Sequence, residues 1–210
     1  FKLQGSDIYQ VLQLEAVPGQ HLPLPAPRSA VLAALRQGSQ ALAACTTLED
    51  LLATTLQALC AVGQTDHAMV LMHDPLRQRL YTVASCGYPT SGLGAEIELG
   101  DGVIGVAAEQ RTPVRIGHMT TAYLYQRAVR AQWRDDDPQL ALDTHIPYPG
   151  LPEPHSQLAV PVLCAGQLLG ALFVESTREL RFDHEQEDML MVLSGQLGAA
   201  SPCRRRRPSP

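Results

Sequence analysis

Hydrophobic side chains recur along this chain with two periods, and the switches between them mark its elements. Residues 29 to 44 repeat alanine and leucine, and Val31, Leu32, Leu35 and Leu42 form a helical stripe. Thr47-Leu48-Glu49-Asp50 resembles an N-terminal cap with an acidic side chain three positions on, and Leu48, Leu51, Leu52, Leu56 and Leu59 carry an amphipathic helix to about Val62. Strand-like runs follow: His67 to His73 reads as a buried strand, Pro75 to Gln78 as a turn and Arg79 to Cys86 as the hairpin partner. Glu96 to Leu99 alternates as a short strand, Val103 to Glu109 reads as a compact helix, and Pro113 to Ile116 returns to strand. Gly100, Gly102 and Gly105 relieve backbone crowding at these changes of direction. Leu158 to Cys164 and Leu168 to Glu175, joined by Ala165-Gly166-Gln167, are the strongest strand signals. Pro161 lacks a ladder donor, which places it at an edge or a bulge. Asp183 to Gln186 has the spacing of a capping box, and Met189, Leu190, Leu193 and Leu197 form the apolar face of a last helix.

Three stretches fall outside these periods. Asp7 to Val17 reads as a strand or a disordered arm, followed by Pro18-Gly19 and the prolines at 23, 25 and 27, so residues 1–28 are expected to be the end of a preceding domain and a stiff linker. Residues 29–200 then form the folded domain and 201–210 a flexible basic tail. A chain that starts Phe1-Lys2 reads as a piece of a longer protein or a processed product. Between 117 and 156, tyrosine, tryptophan, histidine and arginine are interleaved with prolines; Thr121 to Arg134 reads as helix, Asp135-Asp136-Asp137-Pro138 as its stop, and the whole as a lid or recognition segment.

Composition removes several function classes. With 210 residues, 45% of them hydrophobic, the chain can bury a sizeable core. Its 16 basic side chains face 21 acidic ones, and without Arg204 to Arg207 the balance is 12 to 21, or −9, so the body is acidic and not built to neutralise nucleic acid. Cys45, Cys60, Cys86, Cys164 and Cys203 are scattered and odd in number, which argues against a disulfide scaffold and for a reducing cytoplasm. No apolar run approaches the roughly 20 residues of a membrane-spanning helix.

The element order, with Leu99-Gly100-Asp101-Gly102-Val103-Ile104-Gly105, Ala107-Ala108 and Thr112-Pro113-Val114, and then Leu158-Ala159-Val160-Pro161-Val162, Gly170 to Glu175 and Phe182-Asp183, resembles the GAF domain family over roughly residues 30 to 200. The resemblance implies an α+β sandwich: a central antiparallel sheet flanked by helices, with a pocket on one side under a variable lid. It further implies a cytoplasmic, homodimeric small-molecule sensor in a larger signalling or transcription-regulatory protein, coupling ligand binding to an attached output domain. A structural dimerisation module without a ligand is the alternative, since the helices over 29 to 62 read either as packing on the domain's own sheet or as a seam with a second chain. A thiol redox enzyme resembling free-methionine-sulfoxide reductase, with Cys86 and Cys164 as its pair, ranks third. Asp101, Gly102 and Gly105 read as architecture, and cyclic-nucleotide recognition would rest on Phe182, Asp183 and Glu185 alone.

No residue set reads as catalytic or as a metal site, and no cofactor is identified. Gly100 to Gly105 lacks the lysine-serine or lysine-threonine pair of a phosphate-binding loop. His118, His145 and His155 fall in the irregular stretch and could converge on a metal, haem or anion, but their separations follow no ligand grammar. His67 and His73 would share a strand face roughly 20 Å apart, too far for one ion. The candidate ligand residues are Tyr123, Arg127, Arg130, Trp133, His145 and Tyr148: aromatic faces for a planar or apolar ligand, arginine or histidine for a carboxylate or phosphate. Tyr125, Val129 and Trp133 recur every four residues and read alternatively as the lid's internal face. Glu175 reads first as a solvated edge carboxylate and second as a group that orients an arginine or a ligand amine.

Overall fold

A computed structural model describes residues 28–65, 67–119 and 149–200. Helices α1 (Arg28–Ala44) and α2 (Leu48–Gly63) lead into a hairpin of β1 (His67–Asp74) and β2 (Arg79–Cys86). Then come β3 (Glu96–Glu98), α3 (Gly102–Gln110) and β4 (Val114–Ile116), and finally the hairpin β5 (Ser156–Cys164), β6 (Gln167–Ser176) and α4 (His184–Ala200). The strands form one sheet in the order β3-β2-β1-β6-β5-β4, with every neighbouring pair antiparallel. The fold is the α+β sandwich that the family resemblance implied.

Both faces of the sheet's centre are covered, which is why β5 and β6 read as continuous apolar runs instead of alternating ones. Ala68, Val70, Leu158, Val160, Leu172 and Val174 point to the side where Leu59 and Val62 of α2 and Leu190, Leu193 and Leu197 of α4 pack. Met69, Leu71, Ala159, Ala171 and Phe173 point to the opposite side, under Val103, Ile104, Ala107 and Ala108 of α3. Helix α3 is short and small-residued where it meets the sheet, so it lies close to the strands. Helix α2 thus packs on the domain's own sheet, and α1 lies on α2 and α4.

The helix ends follow their sequence signals. Thr47 Oγ1 accepts from the Asp50 amide at 3.1 Å and donates to the Asp50 carboxylate at 2.6 Å, a half-box in which Asp50 is too short to reach back to the Thr47 amide. Asp183 and Gln186 make the full box: the Gln186 amide donates to Asp183 Oδ1 at 3.1 Å, and Gln186 Oε1 accepts from the Asp183 amide at 2.8 Å. At the C-terminus of α2, Gln64 is left-handed with φ 47°, and Arg181 Nη2 donates to its carbonyl at 2.6 Å. Burial and the neighbouring Arg178 hold the Arg181 guanidinium below its usual range, with Asp183 partly opposing them. Arg115 of β4 fastens the start of α4, donating to Glu187 at 2.9 Å and to the Phe182 carbonyl at 3.1 Å.

Pro161 sits where β5 is unpaired on one side, because β4 reaches only Gln157 to Ala159. Its carbonyl accepts from the Ser194 hydroxyl of α4. The missing N–H therefore interrupts nothing, as its edge reading required.

Candidate functional site

Register sets the site. His67 of β1 and Gln157 of β5 both lie opposite Glu175 of β6, and two residues along the same strands Met69 and Ala159 lie opposite Phe173. All six belong to the face that α3 covers, since residues two apart in a strand share a face. An apolar floor of Met69, Phe173 and Ala159, at most 1% exposed, therefore runs into a polar end made of His67, Glu175 and Gln157.

Glu175 is fully buried. It was read as a solvated edge carboxylate, and that reading is overturned: the last strand to be made is inserted between β1 and β5, so its end is central. Glu175 Oε1 accepts from the Leu151 amide at 2.8 Å, and Oε2 accepts from Gln157 Nε2 at 2.9 Å. Thr65 Oγ1 donates to the Glu175 backbone carbonyl at 2.7 Å. Beside them, the rings of His67 and Tyr88 meet edge to face, with centroids 5.4 Å apart. Leu151 stands on the segment that brings the chain back to the sheet, and Pro149 there closes over Gly92, whose φ of 54° and missing Cβ admit the proline ring. A carboxylate so placed recognises donors: an amine, a guanidinium or polarised N–H groups of a ligand can join or replace the Leu151 and Gln157 donors.

The ligand residues read from the sequence, Tyr123, Arg127, Arg130, Trp133, His145 and Tyr148, lie outside the described residues. Of the three histidines, His118 and His155 do come together: at the surface His118 Nδ1 lies 3.0 Å from Glu179 Oε1, and the enclosed Nδ1 of His155 lies 3.7 Å from the same oxygen; His145 lies outside the described residues. Among the described residues no group of three histidine, cysteine or acidic side chains could hold a metal ion. Phe182 is buried in the helix-side core and Asp183 caps α4, so both serve the fold on the side away from the carboxylate. Cys86 and Cys164 are at opposite ends of the sheet. Cys86 pairs with Ala68, Ala68 with Val174 and Val174 with Leu158, six residues from Cys164, which is about 20 Å along the strand alone.

Gln157, Tyr88 and Leu151 were not singled out in the sequence. Gln157 was not recoverable from the hairpin alone: counted back from Ala165-Gly166 it falls opposite Val174, and the register shift between Val162 and Leu163 moves it opposite Glu175. Tyr88 and Leu151 sit in irregular backbone, where no periodicity announces a contact.

The family model for the GAF domain matches residues 47–200, most of the chain. The chain belongs to the GAF domain family. Among solved structures, the GAF domain of a phosphoenolpyruvate-protein phosphotransferase from Coxiella burnetii is 22% identical with a TM-score of 0.64, covering 83% of this chain and 94% of that one. The GAF domain of an Acinetobacter phosphoenolpyruvate-protein phosphotransferase is 22% identical with a TM-score of 0.61, covering 80% and 90%. A free methionine-R-sulfoxide reductase from Neisseria meningitidis, in complex with its substrate, is 20% identical with a TM-score of 0.64, covering 90% and 99%. At these identities the likeness is one of fold. No curated protein sequence matches the chain.

The GAF domain also carries an open groove on its helix side, about 610 Å³, between α1 and α4 and lined by Leu32, Leu35, Met189 and Val192 with acidic side chains at its rim. It is on the opposite side of the sheet from Glu175. No helix among the described residues is long and apolar enough to cross a membrane.

Proposed function

We propose that this GAF domain is a sensory module: it binds a small molecule over the sheet face that ends in Glu175 and passes the change to its helices. The observation that carries the reading is an asymmetry between the faces. Among the described residues the helix side buries neutral polar groups such as Thr55, Gln186 and Ser194 within its hydrophobic core, while the opposite face runs from an apolar floor to a fully buried carboxylate. That combination of apolar area and a few convergent polar groups is what small-ligand sites are made of. Tyr123, Arg127, Arg130, Trp133, His145 and Tyr148 supply the rest of the ligand contacts in this proposal, aromatic rings packing on the ligand and cationic groups taking any carboxylate or phosphate.

Coupling needs unequal affinity for two arrangements of the domain. Glu175 is suited to that, because it ties the segment at Leu151 to the central strand, and a ligand that competes for its oxygens alters that tie. In this reading the domain works in the cytoplasm as a homodimer within a larger signalling or transcription-regulatory protein, with residues 29–200 as the sensor and an attached domain as output. The Coxiella burnetii and Acinetobacter structures are likewise GAF domains, each from a phosphoenolpyruvate-protein phosphotransferase. The dimerisation-module reading keeps one supporting observation, the exposure of Leu32 and Val192 along the groove between α1 and α4.

Native mass spectrometry of the purified protein, followed by denaturation and identification of what is released, tests the proposal. A stoichiometric small-molecule adduct, lost in folded Glu175→Gln and Trp133→Ala variants, is the expected result. A dimer without adduct that responds to no small molecule in a metabolite panel replaces the sensor with the dimerisation module.

A further inference from the structure

Cys60 and Cys86 meet on the helix side of the sheet, away from the face just described. Cys60 lies near the C-terminal end of α2 and Cys86 closes β2, and their sulfurs are 2.9 Å apart with both residues half-buried. Both pack at the margin of the helix-side core. Each is a thiol in this structure. Two sulfurs so placed need only a short move to reach the ~2.05 Å of a disulfide bond. The backbone of Cys86 can supply it, because pairing with β1 stops there at Ala68 and Gly87 follows with φ 84°. The other described cysteines are placed apart: Cys45 donates to the Ala41 carbonyl at 3.3 Å, and Cys164 ends β5 beyond six strand positions from Leu158.

We propose that Cys60 and Cys86 form a reversible dithiol–disulfide pair, a modification site for low-molecular-weight disulfides that ties α2 to the sheet. The thiolate of Cys86 attacks one sulfur of the oxidant's S–S bond, forming a mixed disulfide and expelling one thiolate. The thiolate of Cys60 then attacks the Cys86 sulfur, forming the internal S–S bond and expelling the second thiolate. The two cysteine protons end on the two released thiols, the protein is oxidised by two electrons, and the reagent disulfide is reduced by two. In a reducing compartment such a bond is transient, the behaviour of a sensor and not of a scaffold. The link has a readable mechanical effect. Helix α1 rides directly on α2, where a Cβ on Gly38 would lie 2.9 Å from the Ala58 Cβ, so fixing α2 fixes the platform for α1.

The test uses the full chain with Cys45, Cys164 and Cys203 replaced by serine, treated with oxidised glutathione. The expected result is a loss of two hydrogens per chain, an unreduced peptide joining residues 60 and 86, and reversal by dithiothreitol. Adding Cys60→Ser should leave Cys86 as its glutathione mixed disulfide with no internal link. Closure of the mixed disulfide should be at least about tenfold faster in native buffer than in denaturant, because the fold raises the effective concentration of the second thiol. Glutathione adducts that never close, links between chains, or closure no faster in the folded protein would overturn the proposal.

Discussion

Two helical glycines should answer the same substitution with opposite signs. Gly105 in α3 and Gly195 in α4 both have ordinary helical backbone, so alanine at either site gains about 0.5 to 1 kcal/mol from reduced unfolded-state freedom. At Gly195 nothing lies within 4 Å of the added methyl group, and the gain stands alone. At Gly105 the methyl would overlap the Glu98 carbonyl oxygen and lie 3.1 Å from the Gly100 nitrogen. That carbonyl cannot retreat freely: it accepts from the Asp101 amide at 3.2 Å, and Glu98 is paired to Arg79 of β2. Helix α3 must therefore back away from the turn, loosening Ile104, Ala107 and Ala108 over Phe173, and because the overlap is with backbone the cost falls in the upper part of the range for an overpacked core, about 2 to 3 kcal/mol. The net expectation is destabilisation by about 1 to 2 kcal/mol for Gly105→Ala and stabilisation by about 0.5 to 1 kcal/mol for Gly195→Ala. Urea unfolding followed by circular dichroism reads both, with the midpoint moving and the slope unchanged. In melting temperature the first is a drop of about 2 to 8 °C for a domain of this size. A Gly105→Ala protein as stable as the parent would refute the close approach of α3 to the β3 turn.

Other outcomes follow from the same geometry. Asp183→Ala removes the side-chain acceptor for the Glu185 and Gln186 amides, while its own backbone amide can still donate to Gln186, and should lower stability by about 1 kcal/mol in urea unfolding. Phe173→Ala empties the centre of the α3-side core and should cost about 3 to 5 kcal/mol. Glu179→Gln, by contrast, disturbs only a surface pairing with His118 and His155, and the midpoint should move by less than about 1 kcal/mol at any salt concentration. Oxidising Cys60 and Cys86 closes a loop between residues 26 apart and should raise stability by about 3 kcal/mol over the reduced protein, measured by paired denaturant titrations with and without reductant.

The elements were legible because each carries its own signal. The hairpin of β5 and β6 is local, its apolar runs are long, and its connection is two residues; the box at Asp183 is written in four. Sheet order is written nowhere locally. That β6 lies between β1 and β5 depends on pairing between segments far apart in the chain, and the misreading of Glu175 as an edge carboxylate follows directly. The same reason hides Cys60 from Cys86: the rotation of α2 on the sheet decides the contact, and the amphipathic stripe fixes that rotation only to within a side chain or so. The sequence shows Cys86 only as the end of a strand, and the redox resemblance pairs it with Cys164, which the register puts about 20 Å away.

The central position of β6 also governs how the domain can be made. A ribosome releases β1 and β2 long before Ser176, and until β6 arrives the inner edge of β1 is a row of open amides and carbonyls beside Met69, Val70 and Leu71. The sheet cannot grow strand by strand; it closes once, when the final hairpin slides in, and contacts of such high sequence separation slow folding. A chain interrupted before Gln167 has no smaller fold to settle into, only raw strand edges that invite aggregation. Once closed, the two halves of the sheet answer to one strand, so whatever displaces β6 is felt by both at the same moment.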